Sequence, residues 1–430
     1  MTGRPFNMEN KFDVIVIGAG ASGLAAAIEA ARAGASVLVL EKNHVPGRKL
    51  LSTGSGKCNF SNLEIKPSAY HPPRPAFLKK VFSSLPPAEV LSFFKELGLL
   101  WTEREKGRLF PRSLKAQDIA NLLLNQLELL KVRIQTLTEA RSVSMENGSF
   151  LVEAEKTAPK WDKSASPAQK AIFRAGRLIL AAGGAAYPQI GGGSGGYRIL
   201  RELGHAVAEI SPAVVPLRIK GNFVKEMEGV RLDAVLTLRT ENSFLAKTAG
   251  ELLFTSYGIS GPAVLDLSRA ALSALAEGPA FIEADFFPDY KTPELERLLA
   301  ERAASFSGRP FRHFTCGLLN GKVIRAAAAR AGIDWDAPAL PGCAPGLAAA
   351  LKSFTLEAAG SLGFEDAMVT AGGCALSEVN PQDFASRKIK GLYVTGELLD
   401  LDGDSGGYNL HLAWTSGILA GRSAGRKQPA

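Results

Sequence analysis

Residues 11–41 read KFDVIVIGAGASGLAAAIEAARAGASVLVLE. An apolar strand, Phe12–Ile17, runs into glycines at Gly18, Gly20 and Gly23. A helical run from about Ser22 to Ala33 follows, then a second apolar strand, Ser36–Leu40, ending at Glu41. Gly18 lets the chain turn sharply off the strand. Gly20 leaves the backbone bare for a pyrophosphate, and Gly23 lets helix and strand pack closely. Ala19, Ala21 and Ser22 complete a turn whose helix N-terminus offers unpaired N–H groups to phosphate. Glu41 stands at the end of the second strand, about 20 residues beyond the turn, where a carboxylate accepts from ribose hydroxyls. An acid there favours a free 2′-hydroxyl, so the stretch expects FAD or NAD rather than NADP.

Working outward, the chain has 430 residues, enough for two or three domains with ample core. Hydrophobic content of 46% and charged content of 21% are those of a soluble globular protein. No apolar run reaches the length of a membrane span, so no membrane partner is expected. The start, MTGRPFNMENK, lacks the apolar centre of a signal peptide, so a cytoplasmic location is expected. The net charge of +8 suits an anionic cofactor without demanding nucleic acid. The basic end, residues 421–430, reads as a solvated tail. Cys58, Cys316, Cys343 and Cys374 show neither metal-type spacing nor CxxC, which fits a reducing compartment and no metal site.

After Glu41 and Lys42 comes NHVPGRKLLSTGSGKCNFSN, residues 43–62. A loop this long inside an α/β domain is usually functional. Gly47, Arg48, Lys49, Ser52, Gly56, Lys57, Cys58 and Asn59 are its candidate contacts to phosphate or a flavin ring. Residues 70–130 carry apolar residues at helical spacing, interrupted by a hairpin-like WTEREKGRLFP at 101–111. Strand-like segments follow from 132, with a polar loop at about 156–170. The run AIFRAGRLILAAGG then reads as a buried parallel strand ending in Ala182, Gly183 and Gly184. Gly191, Gly193 and Gly196 formally repeat GxGxxG, but Pro188 interrupts the approach, so a cleft-lining loop is expected. From about 211 the pattern is alternating strands, with residues 292–352 helical and FTLEAAG (354–360) a returning strand.

Near the end, KGLYVTGELLDLDGDSGGYNLHLAWTSGILAG (390–421) is a second strand–glycine–helix unit. Gly396 and Glu397 end the strand, Asp404, Gly406 and Gly407 form a turn, and Tyr408 and Asn409 begin the helix. A helix N-terminus stabilises negative charge. A flavin needs that at its pyrimidine edge on reduction, whereas NAD does not, so the expectation sharpens to FAD.

With both ends read, the chain resembles the two-dinucleotide-binding-domain flavoproteins. More closely, it resembles the HI0933-like flavoprotein family, which includes aminoacetone oxidase-type enzymes and bile-acid reductase-like proteins. The carrying residues are Gly18–Gly23 with Glu41, GRKLLSTGSGKCNFSN (47–62), LFTSYGISGP (253–262), VTAGG (369–373) and the 391–409 segment. Lys57 and Ser55 depart from a signature that more often has Arg and Gly, and Cys374 stands where the family is usually apolar. The resemblance implies an α/β fold: a discontinuous Rossmann-type FAD domain (1–208 and 365–430), a β-barrel-like insert (209–290 and 353–364) and a helical insert (291–352).

The reaction this implies passes hydride between a small organic substrate and flavin N5, with NAD(P)H or oxygen as electron partner. The alternative is a non-catalytic redox sensor or RNA-modification accessory. No basic face with interleaved aromatics stands out in the linear sequence, so no nucleic-acid partner is expected. Cys58, beside Lys57, is a candidate for a thiol of lowered pKa. Tyr408 and His411 are candidate proton carriers, and packing roles compete with each. No catalytic residue is assigned on this basis, and substrate and oligomeric state are left open.

Overall fold

The structure, a computed structural model, describes residues 11–158 and 168–426. Most of the expected loop at 156–170, the N-terminal residues 1–10 and the last four residues of the basic tail lie outside the described residues. The chain divides into two compact units, Met1–Ser211 with Val369–Ala430, and Pro212–Met368.

The first unit is built on a parallel sheet. β1 (Lys11–Ile17) lies between β2 (Val37–Leu40) and the strand Gln169–Leu180. Arg133–Gln135 continues the sheet beyond β2, and Leu392–Val394 pairs parallel with Gln169–Leu180. The hairpin Thr138–Glu146/Ser149–Lys156 adds antiparallel strands. Val14–Ile17 and Val37–Leu40 are buried throughout, as strands covered on both faces must be.

The helix α1 (Ala21–Arg32) packs against the last helix, Tyr408–Gly425, with almost no side chain between them. A Cβ at Gly417 would lie 2.2 Å from the Ser22 carbonyl, at Gly421 2.3 Å from that of Ala26, and at Gly425 2.6 Å from that of Ala30. The matched four-residue steps make the helices parallel, so their N-termini face the same way. The expected helix from Tyr408 thus continues to Gly425, and its glycines are the contact surface rather than breaks.

The second unit is a closed barrel with strand order 217–219, 258–260, 244–255, 231–239, 281–285 and 354–361. Leu236, Leu238, Phe254, Ile282 and Leu356 are buried in its core. Helices Thr292–Ser305, Gly321–Arg330 and Ala344–Lys352 pack their apolar faces into the same core. One correction falls here. Residues 262–277, read only as part of a strand-rich stretch, form a helix of 16 residues. Pro262 at its first turn and buried Ala263, Leu267, Ala271 and Ala274 at three- and four-residue spacing are the signals that identify it. No helix among the described residues is long and apolar enough to cross a membrane.

Candidate functional site

The parallel strands of the first unit end in one layer. Ile17 lies opposite both Leu40 and Leu180, and Leu180 opposite Val394. Gly18–Gly23, Glu41–Asn43, Ala181–Gly184 and Thr395–Glu397 therefore leave the sheet along one edge. The carboxyl ends of strands are where open α/β sheets bind ligands.

The glycines of the first turn divide the work. Gly18 has φ +103°, and a Cβ there would lie 2.3 Å from the Ala181 carbonyl. A Cβ at Gly23 would lie 1.9 Å from the Gly18 carbonyl. Both positions are packed shut. Gly20 has nothing within 4 Å and borders open space, and no side chain caps the N-terminus of α1, which begins at Ala21 and Ser22. This is a cradle for an anion, and it fits a pyrophosphate.

Glu41 is buried beside it. Its Oε2 accepts from the Ala19 amide at 2.8 Å, and its Oε1 accepts from Asn43 N at 2.7 Å and Asn43 Nδ2 at 2.8 Å. The carboxylate thus ties the turn to the end of β2 and holds its oxygens at the sheet edge. Gln135, which the sequence reading passed over, ends the neighbouring strand. Its carbonyl accepts from the Glu41 amide, and its side-chain Oε1 is buried without a partner among the described residues. Lys42 is exposed, and its Nζ lies 3.4 Å from where a Cβ of Gly193 would sit.

Gly47 donates its amide to the Ala19 carbonyl at 2.7 Å and begins the short helix Arg48–Ser52. Arg48 reaches Asn43 Oδ1 at 3.4 Å. Lys49 Nζ contacts Glu397 Oε2 at 2.7 Å, and Glu397 Oε1 accepts from the Thr370 amide at 2.7 Å. Gly184 packs against that carboxylate and Gly183 faces open space, while Ala182 abuts Gly196. Gly396 (φ +65°) sits against Ser22. Ser52 is not turned to a ligand: its hydroxyl donates to the Lys49 carbonyl.

The second half of the edge is formed by residues 56–62 and 404–409. Gly407 (φ +101°) begins the last helix, with no side-chain cap, and a Cβ there would lie 3.0 Å from Asn59 Oδ1 and 2.4 Å from the Ser61 carbonyl. Asn59 Oδ1 is buried with no partner among the described residues. A lone acceptor beside the donors of a helix N-terminus complements a flavin pyrimidine edge, whose N3–H donates and whose carbonyls accept. Asp404 contacts His71 Nε2 at 2.8 Å. Asn409 is spent on its own loop, accepting from Gly403 N and donating to the Gly403 carbonyl. The Tyr408 ring meets Tyr70 edge-on at 6.0 Å. Gly56 and Lys57 are exposed, with Gly56 at φ +82°.

The structure corrects the candidates for chemistry. Cys58 is fully buried, and desolvation pushes its thiol up to about 12 despite a hydrogen bond with Thr53. Lys57 points to solvent and does not activate it. Cys374 is likewise buried and pushed up to about 12. Both stay protonated at neutral pH and are poor nucleophiles. His411 is buried on the last helix, with Nδ1 2.8 Å from Ser61 Oγ, and desolvation pushes it down to about 3. It is a neutral structural residue, not a proton carrier at the surface. The stretch Gly191–Gly196 is no second dinucleotide turn. Its glycines pack against Asn43, Lys42 and Leu398, and no strand leads into it.

His411 carries a pH prediction. The unfolded chain takes up the proton near the ordinary 6.5, whereas the folded chain resists until about 3. Its contribution is therefore complete above pH 6.5 and lost as pH falls toward 3. Urea midpoints measured across that range fall with acidity, and the decline is shallower in His411→Asn.

Comparison with known proteins agrees with this geometry. The family model described as the HI0933-like protein Rossmann domain matches residues 12–423. The 3-dehydro-bile acid delta(4,6)-reductase of Clostridium scindens is 35% identical over 418 residues, covering 96% of this chain and 98% of that protein. The ribosomal RNA dihydrouridine synthase of Escherichia coli is 28% identical over 411 residues, covering 94% and 96%. Among solved structures, the 3-ketosteroid-delta4-(5alpha)-dehydrogenase of Rhodococcus jostii RHA1 shares the fold, with a TM-score of 0.50, 17% identity and 98% of each chain covered. Family, fold and a cradle that fits a dinucleotide agree: the chain belongs to the HI0933-like family, as an FAD-dependent oxidoreductase with a Rossmann-type core.

Proposed function

We propose that the protein is a reductase that saturates a carbon–carbon double bond conjugated to a carbonyl, drawing electrons from NAD(P)H. When bound, FAD supplies two-electron exchange at its N5. The chain supplies placement. The Gly18–Gly23 turn and the start of α1 hold the pyrophosphate. Glu41 takes the adenosine ribose, and Gln135 Oε1 offers an acceptor to the adenine. Glu397, steadied by Lys49, faces the ribityl chain. Asn59 and the N-terminus of the last helix hold the pyrimidine edge and stabilise negative charge there.

One observation carries the reading: a lone buried acceptor at Asn59 beside an uncapped helix N-terminus. Asn59 and the helix N-terminus would hold the pyrimidine edge of a flavin, and Cys58 and Cys374, held protonated, are not placed to act as a thiol relay. The relatives support the substrate class. A bile-acid delta(4,6)-reductase and a dihydrouridine synthase share one chemistry, saturation of a ring double bond next to a carbonyl.

The test is anaerobic titration of the purified yellow protein. NADH or NADPH bleaches the flavin absorbance, and a cyclic enone then restores it. Bleaching by amines alone, with no response to either nicotinamide, would make the protein an amine oxidase and overturn the proposal.

A further inference from the structure

The antiparallel pair of Tyr70–His71 with Asp402–Gly403 holds a partly exposed ion pair. His71 lies directly opposite Asp402, and Tyr70 opposite Gly403. Side chains alternate between the faces of a strand, and directly opposed residues share a face. Tyr70 goes to the inner side, where it is buried and its hydroxyl donates to the Tyr408 carbonyl at 3.2 Å. Gly403 leaves room for that ring, since a Cβ there would lie 3.3 Å from it. His71, Asp402 and Asp404 go to the other side. His71 Nε2 meets Asp404 Oδ1 at 2.8 Å, with the two side chains 34% and 35% exposed. An ionised carboxylate only accepts, so Nε2 carries the hydrogen.

This pair sits at the end of the sheet edge proposed for the flavin ring. The Asp404 amide donates to the Ala69 carbonyl at 2.9 Å, and Asn409 Nδ2 to the Asp404 carbonyl at 3.4 Å. Further along the same loop, Gly407 begins the last helix against Asn59. The backbone that carries Asp404 is therefore fixed from both sides, while the imidazole reaches solvent.

Saturating a conjugated double bond takes a hydride at one carbon and a proton at the other. The hydride originates in NAD(P)H. The proton needs an acid that solvent can recharge, and the other candidates on this edge do not serve. Cys58 and His411 are fully buried, and burial pushes the Tyr70 and Tyr197 phenols well above their ordinary range. Lys49 is engaged with Glu397.

We infer that His71 is the general acid of the proposed reduction, and that Asp404 is the residue that positions it. The inference rests on that reading of the reaction. The imidazolium gives its proton to the carbon next to the carbonyl as hydride arrives at the far carbon, and solvent returns the proton. The carbonyl oxygen carries no proton in the product, so a proton given there would have to be taken back. One NAD(P)H and one proton are consumed, and NAD(P)+ and the saturated ketone leave. The Asp404 carboxylate stabilises the imidazolium by its opposite charge. Asp402, Tyr70 and Tyr408 are the other titratable groups on the elements packed against His71, and Lys66 and Arg74 on its flanking chain are exposed.

Stopped-flow absorbance of the flavin-loaded protein tests it by separating the two halves of the cycle. His71→Gln should be bleached by NAD(P)H at the parent rate, while reoxidation by cyclohexenone slows at least ~100-fold, the lower end of general acid catalysis. Added imidazole should restore part of that rate in His71→Ala. Asp404→Asn should move the pH profile of reoxidation to lower pH, because the imidazolium loses its counter-charge. A second measurement needs no turnover. In an NMR titration of the protein carrying carbon-13-labelled histidine, the His71 ring signal, assigned by its loss in His71→Gln, should shift to a lower midpoint in Asp404→Asn. Flavin content and melting temperature report folding. An unchanged reoxidation rate in His71→Gln, equal slowing of both halves, or a midpoint that Asp404→Asn leaves in place would each overturn the inference and leave the reductase proposal standing. A parent that NAD(P)H does not bleach, or that the enone does not reoxidise, overturns the reductase proposal and the acid's role with it.

Discussion

Glu41→Ala strips the protein of its FAD. The carboxylate accepts from the Ala19 amide inside the phosphate turn and twice from Asn43. Removing it leaves those donors without partners in a buried position, and a buried donor left unsatisfied costs about 1–3 kcal/mol. It also removes the acceptor proposed for the ribose. Retention of FAD should fall about 100-fold, equivalent to roughly 2.7 kcal/mol. Flavin content after purification and the dissociation constant from flavin fluorescence measure it. Glu41→Gln is nearly as damaging, because it sets an NH2 group against N–H donors where the carboxylate had two acceptors. A variant that stays yellow with unchanged affinity would show that the ribose lies elsewhere.

Gly421→Val unfolds the first unit more readily than any surface change would. A single Cβ at this position meets the Ala26 carbonyl at 2.3 Å and Ala26 Cα at 2.9 Å. Neither is the end of a flexible side chain, so the two helices must separate. Overpacking of this kind costs about 1–3 kcal/mol, and backbone contact places the expected value near ~3 kcal/mol. The melting temperature should drop by about 6–12 °C, at roughly 2–4 °C per kcal/mol for a unit of this size. Separation also moves the N-terminus of the last helix, so FAD affinity falls with stability. Gly321→Ala is the control. It begins a helix with nothing within 4 Å, and there the lost freedom of the unfolded chain should stabilise by about 0.4–1 kcal/mol. If both variants melt like the parent, the close helix contact is absent in solution.

Both changes involve residues visible in the sequence, yet only one could be weighed there. Glu41 was legible because strand, glycine turn, helix and second strand are contiguous, and their spacing follows from local geometry. The four-residue spacing of Gly417, Gly421 and Gly425 was also visible. Its partner surface, Ser22, Ala26 and Ala30, lies almost four hundred residues earlier by the pairing seen in the fold. Nothing local marks a helix glycine as a contact rather than a weakness.

The cysteines and His411 show the same limit. A lysine next to Cys58 in the chain suggested an activated thiol, but burial outweighs a neighbour that turns to solvent. Gln135 was missed because a buried, unpartnered acceptor is a property of its surroundings, not of its residue type.

By itself, then, the sequence determined the α/β class, the dinucleotide turn and the acidic residue that closes it. Each is set by periodicity and short-range backbone sterics. Tertiary structure alone decided which glycines pack and which face open space. It also decided which thiols stay protonated, and that Asn59 meets the start of the last helix. Desolvation and close approach depend on what the rest of the chain brings to a residue, and that is fixed only when distant segments meet.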